Sequence, residues 1–191
     1  MTIKENTKSN VLLNFILALR ASQVFWILSF SVFTAIGAQI AIPVNPVPFT
    51  LQTMIVLLAG ALLGPKNGAC SQLVYLAAGV VGIPVFAGGT LGIAILFGPT
   101  GGYLLAFPFG AYFTGYLIQK YKSYVGVVLS MFAGNILIIL VGTLFLFTFY
   151  LHDFESAIIA GAAIFTIWMV IKMLVGATIY FAISKKYETL P

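Results

Sequence analysis

The sequence predicts an all-α integral membrane protein. Six transmembrane helices, a short amphipathic N-terminal helix and a Gly/Pro-rich outer loop form a single membrane domain over residues 1–191. Three observations predict this. Of 191 residues, 61% are hydrophobic and 7% charged, with a mean hydropathy of +1.11; no soluble domain covers so much apolar surface with so few charges. Apolar stretches recur near the roughly 20 residues that a bilayer span needs, and the length allows about six of them with short links. The basic residues, with one exception, fall in alternate links.

The same composition excludes several function classes. There is no Walker A sequence and no cluster of metal-ligand residues; the chain holds one His, His152, and one Cys, Cys70, so no disulfide closes within it. A nucleotide-driven pump requires its ATPase on another chain.

Residues 1–21 open with Lys4, Glu5 and Lys8, then turn apolar at helical spacing up to Arg20. That stretch is too short to span and reads as a helix lying along the membrane surface. A cleaved signal peptide is the alternative, but no small-residue cleavage pattern follows Arg20. Residues 22–42 form the first span. Thr34 with Ala38, and Gly37 with Ala41, stand four apart and share a face on which another helix can approach closely. Two occupants remain open for that face: a partner protein docking on it, or a helix of this chain.

Residues 43–48 hold three prolines and form a stiff extended link. Thr50 is a plausible N-cap for the second span, which runs to Leu63. Gln52 places an amide just inside that span, and a buried amide needs a partner, either backbone or ligand. A turn at 64–68 carries Lys66; the third span, 69–81, is only 13 residues long. It is shorter than the bilayer core, so the stretch after it starts below the membrane surface.

That stretch, 82–103, has seven Gly and two Pro in 22 positions and no charge. A soluble loop carries polar residues, and a continuous membrane helix does not carry so many breakers. Irregular backbone covered by protein or lining a cavity remains, with a ligand site or a re-entrant packing loop as its two readings. The fourth span, 101–119, leaves from this loop, and its N-terminus offers free N–H groups beside Thr100. The fifth span, 124–150, carries Asn135; the sixth, 157–183, carries Trp168 and Lys172. Residues 184–191 are a polar tail.

In this arrangement Lys4, Lys8, Arg20, Lys66, Lys120, Lys122, Lys185 and Lys186 share one side, eight of the nine basic residues. That side, with both termini, is predicted to be cytoplasmic. The net charge of +5 is therefore a topology signal and does not indicate nucleic acid.

The ninth, Lys172, sits about 15 residues from one end of its span and about 11 from the other, near mid-membrane at ~1.5 Å per residue. An ammonium there costs at least ~2.5–3.5 kcal/mol. The four acids, Glu5, Asp153, Glu155 and Glu188, all lie outside the spans. Lys172 can snorkel towards the interface, be neutral, or await an anion. Trp168 on the same helix face, Asn135 at depth, and Thr50, Gln52 and Thr100 near outer helix ends favour the third reading. The pocket they outline suits a small, largely apolar ligand that carries a carboxylate and hydrogen-bonding groups.

The motifs NPVPFTLQ at 45–52, LAGALLGP at 58–65, YLAAGVVGIPVFAGG at 75–89 and FGPTGGY at 97–103, in that order, resemble the BioY family, the biotin-specific S-components of energy-coupling factor (ECF) vitamin transporters. The resemblance runs from about Thr34 to Lys172. It implies six membrane helices, capture of biotin from outside, and a partner module of one transmembrane coupling protein and two cytoplasmic ATPases in the cell membrane of a prokaryote. Biotin is then the transported ligand, no cofactor or metal is needed, and lipid surrounds the chain. The ligand-binding residues expected are Thr50, Gln52, Phe86, Gly89, Thr100, Tyr103, Asn135, Trp168 and Lys172. The docking residues expected on the first span are Thr34, Gly37, Ala38 and Ala41. The family's sixth helix usually carries an acid three residues before its Lys; here Phe165 and Lys172 are kept but Met169 stands at that place.

Two other classes remain. A self-sufficient secondary transporter lacks, in this chain, intramembrane acids for proton coupling. A membrane enzyme needs an acid, His or Cys placed for chemistry, whereas His152 is in a loop and Cys70 reads as a small core residue.

Overall fold

Apolar helices joined by short links build the molecule, and the computed structural model describes residues 22–161 and 166–185. The expected surface helix over 1–21 and the end of the tail lie outside the described residues. Helix α1, Gln23–Gln39, starts where the Ser22 hydroxyl accepts from Phe25 N. It ends earlier than expected, because residues 40–42 leave the helix to form strand β1, Ala41–Ile42. Strand β2, Phe49–Thr50, pairs antiparallel with β1, Ala41 opposite Thr50. The proline-rich link between them therefore returns the chain to the end of α1.

Helix α2, Gln52–Val80, keeps helical geometry except at Gly64, with φ +78° and ψ 176°. Only a residue without Cβ adopts that φ freely, and Pro65 restarts the helix at once because its fixed φ suits a first helical position. The arms 52–63 and 65–80 fold back on each other. Gln52 Nε2 reaches the Tyr75 hydroxyl at 2.6 Å, although 23 residues of straight helix would separate them by ~35 Å. The expected second and third spans are these arms. The second arm is longer than the sequence suggested, since no open turn follows Gly64.

Helix α3, Gly101–Lys120, crosses α2 at very short range: a Cβ on Gly60 would sit 2.0 Å from Ala111 O. Helix α4, Tyr124–Leu146, is capped by Ser123 and runs on through a wider turn, Phe147–Leu151. Helices α5, Phe154–Gly161, and α6, Thr166–Ser184, occupy the expected sixth span. Asp153 accepts from Ser156 N at 2.8 Å at the start of α5, and the bonds from Ser156 hold its carboxyl below the usual range. By length and composition, Gln52–Val80, Tyr124–Leu151 and Ile167–Ser184 are apolar enough to cross a membrane. The first of these doubles back at Gly64 and so supplies two short arms in place of one long span.

Between α2 and α3 the chain forms a lid with two short 3₁₀ turns, Ala87–Gly89 and Ile93–Phe97. Phe86 is its anchor, 1% exposed, edge-on to the Tyr75 ring at 5.6 Å and packed on Gly79, where a Cβ would clash with the ring. Gly92 N donates to Gly79 O at 2.8 Å, and the Tyr150 hydroxyl donates to Phe97 O. The ends of α1, α2 and α4 thus meet the lid at one end of the bundle.

Candidate ligand-binding site

Beneath the lid is a cavity of about 260 Å³. Val47, Pro48 and Thr50 line it from the hairpin, Gln52 and Thr53 from the first turn of α2, and Phe86, Ala87, Thr90 and Ile95 from the lid. Thr100, Tyr103, Leu104 and Phe107 close one wall from α3, and Lys172 reaches in from α6. The lining is mainly apolar and aromatic with a few fixed polar groups, the composition of a small-molecule site.

Lys172 is 6% exposed, and its Nζ donates to Thr53 Oγ1 at 2.8 Å and to Thr50 O at 3.2 Å. Among the described residues no carboxylate accompanies it: Asp153 and Glu155 are exposed elsewhere. The sequence suggested a lysine with no partner in its own chain; the structure supplies two neutral oxygens. An ammonium has three N–H donors, so one remains for an acceptor in the cavity.

Gln52, 4% exposed, donates to the Tyr75 hydroxyl. Thr50 Oγ1 accepts from Gln52 N at 3.3 Å, close to the capping role expected of it, and its carbonyl holds Lys172. The Tyr103 ring lines the cavity while its hydroxyl is turned to Gly161 O at 3.0 Å and Thr143 Oγ1 at 3.3 Å. Thr100 lines the cavity without capping α3 through its side chain.

The BioY family model matches residues 6–189. The chain belongs to the BioY family. It is 40% identical over 156 residues to the biotin transporter BioY of Thermotoga maritima, covering 82% of this chain and 92% of that one. A probable biotin transporter BioY of Pyrococcus horikoshii is 40% identical over 154 residues, 81% and 91% of the two chains. The crystal structure of the S-component for biotin from an ECF-type ABC transporter superposes with a TM-score of 0.81 at 27% identity, over 97% of this chain and 95% of that one. With its long apolar helices, this BioY member is a multi-pass membrane protein.

Against that family frame, three expected ligand residues lie outside the cavity. Trp168 is 53% exposed and lines a second, neighbouring cavity of about 240 Å³ with Ile40, Ala41, Ile42, Phe49 and Leu51; Thr50 and Lys172 border both cavities. Sharing a helix face with Lys172 was not enough, because the long lysine stem reaches a place that the stiff indole one turn away does not. Asn135 is buried in α4, away from the cavity lining. Gly89 belongs to the lid, where its N–H donates to Gln39 Oε1 at 3.0 Å.

The expected docking residues of the first span lie largely within the chain's own packing. Thr34 and Ala38 are fully buried, Gly37 is buried with Ile55 and Gln52 in the space a Cβ would take, and Ala41 sits in β1. Thr34 Oγ1 contacts Gln72 at 3.3 Å on the second arm of α2. The small residues serve packing inside the chain, and α1 turns Val24, Leu28, Val32 and Ile36 outwards instead. Met169 packs against the core, and Phe165 lies outside the described residues. Sequence reasoning missed Thr53, which no spacing pattern singled out, and Phe107, whose signal was its position one turn after Tyr103.

Proposed function

We propose that this chain is the biotin-binding membrane subunit of an ECF-type importer. Its six membrane helices hold biotin in the cavity under the lid, and transport depends on a coupling protein and two ATPase subunits; the chain itself catalyses no reaction. The observation that carries the reading is Lys172, a buried ammonium at the wall of an apolar cavity, held by neutral oxygens with one donor left. A carboxylate ligand completes that site, and biotin brings one on an apolar arm. Its ureido ring has donors and an acceptor for Gln52, and its thioether ring suits Phe86, Tyr103 and Phe107. The names of the relatives agree with this ligand.

The lid faces outwards from the plasma membrane, and the links at Lys66 and Lys120–Lys122 face the cytoplasm with both termini. Clustering of the hairpin, the lid and Tyr150 at one end of the bundle supports this orientation. The purified chain in detergent should bind labelled biotin at one per chain. A folded, monodisperse preparation that retains none rejects the reading. Accumulation of biotin by liposomes holding this chain alone would replace the ATPase-dependent scheme with self-sufficient transport.

A further inference from the structure

The lid is fastened at one place from two sides. Val85 O accepts from the Tyr75 hydroxyl at 3.2 Å and lies 3.5 Å from Gln39 Nε2. The same nitrogen donates to Phe86 O at 3.0 Å, and Gln39 Oε1 accepts from Gly89 N at 3.0 Å. A single amide at the end of α1 thus satisfies both a donor and an acceptor of the lid, in an exposed position where water could have served either. Gly82 and Gly92 bracket the fastened segment at φ +101° and +90°, with nothing near where a Cβ would lie.

The second fastening leads into the cavity. A phenol has one hydrogen, and Tyr75 gives it to Val85 O, which can only accept. The phenol oxygen must therefore accept from Gln52, which fixes the Gln52 amide with its nitrogen towards Tyr75. Gln52 Oε1 is left with a 3.5 Å contact from Thr50 Oγ1, and Gln52 lines the cavity. A ligand N–H placed on Oε1 polarises the amide, strengthens its donation to Tyr75 and, through it, the donation to Val85.

We propose that Gln39 and Tyr75 are positioning residues that latch the lid, and that the chain Gln52–Tyr75–Val85 signals to the latch that the cavity is filled. The ligand-dependent half rests on the biotin reading; the latch itself does not.

The test uses the full chain with Cys70→Ser and a reporter at Val85→Cys, which keeps the latched carbonyl and does not line the cavity. The rate of modification by a hydrophilic maleimide reports release of the lid. Without ligand, Gln39→Ala and Tyr75→Phe should each raise that rate about three- to tenfold, the range of one or two hydrogen bonds. Saturating biotin should slow modification of the parent and of Gln39→Ala but leave Tyr75→Phe unprotected. Parental rates in both ligand-free variants would overturn the latch. Equal protection of Tyr75→Phe and the parent would overturn the signal through Tyr75. If biotin fails to bind the parent, the biotin reading falls, while the ligand-free rates still uphold or reject the latch.

Discussion

A lysine ammonium in an apolar interior needs a counter-charge or a shell of oxygens, and Lys172 has the shell. Thr53 supplies the nearer one, at 2.8 Å. Thr53→Val keeps the shape and removes the acceptor, so biotin affinity should fall roughly three- to tenfold by equilibrium titration, with Thr53→Ser close to the parent. Gly79→Ala should unseat Phe86, because a Cβ there overlaps its ring; the expected outcome is faster biotin dissociation in a filter-binding chase. Lys172 was legible in the sequence because a charge at that depth is expensive enough to demand a reason. Thr53 was not, since a hydroxyl in a membrane helix usually satisfies itself on its own backbone, as Thr34 does on Phe30 O at 2.8 Å. That Trp168 lines the neighbouring cavity was not legible, because helical spacing says which residues share a face and nothing of what that face meets.

Among the elements, α2 decides the architecture, and its fold depends on Gly64. Gly64→Ala forces a Cβ into a positive φ and should destabilise the protein by ~1–3 kcal/mol. Thermal unfolding in detergent checks this against Cys70→Ser, an exposed position expected to stay within ~0.5 kcal/mol. The break itself was legible, because Gly-Pro punctuates any helix. The tight return of the two arms was not, since it depends on Gly60 and Gly68 meeting across the turn. The β1–β2 pair could not be seen either: two residues per strand carry no periodicity. On α1 the small-residue face predicted close approach correctly, but spacing alone does not name the approaching helix, which is α2.

At the scale of the molecule, charge placement carries the proposed orientation and the cavity lining carries the proposed ligand class. With Cys70→Ser as background, a cysteine at Leu91 in the lid should react with an impermeant maleimide on intact cells, and one at Lys66 should react only after permeabilisation. The reverse pattern would invert the topology. The apolar helices and the Gly/Pro-rich break before α3 were legible because apolar length and Gly/Pro runs act locally along the chain. The cavity wall was not, because hairpin, lid, α3 and α6 contribute to it from widely separated positions. The most direct measurement is the affinity of biotin and of biotin amide for the parent and for Lys172→Ala. Lys172→Ala should weaken biotin by roughly 10- to 100-fold, the scale of a charged hydrogen bond, and biotin amide by about threefold or less. Equal losses for the two ligands would contradict a carboxylate paired with Lys172.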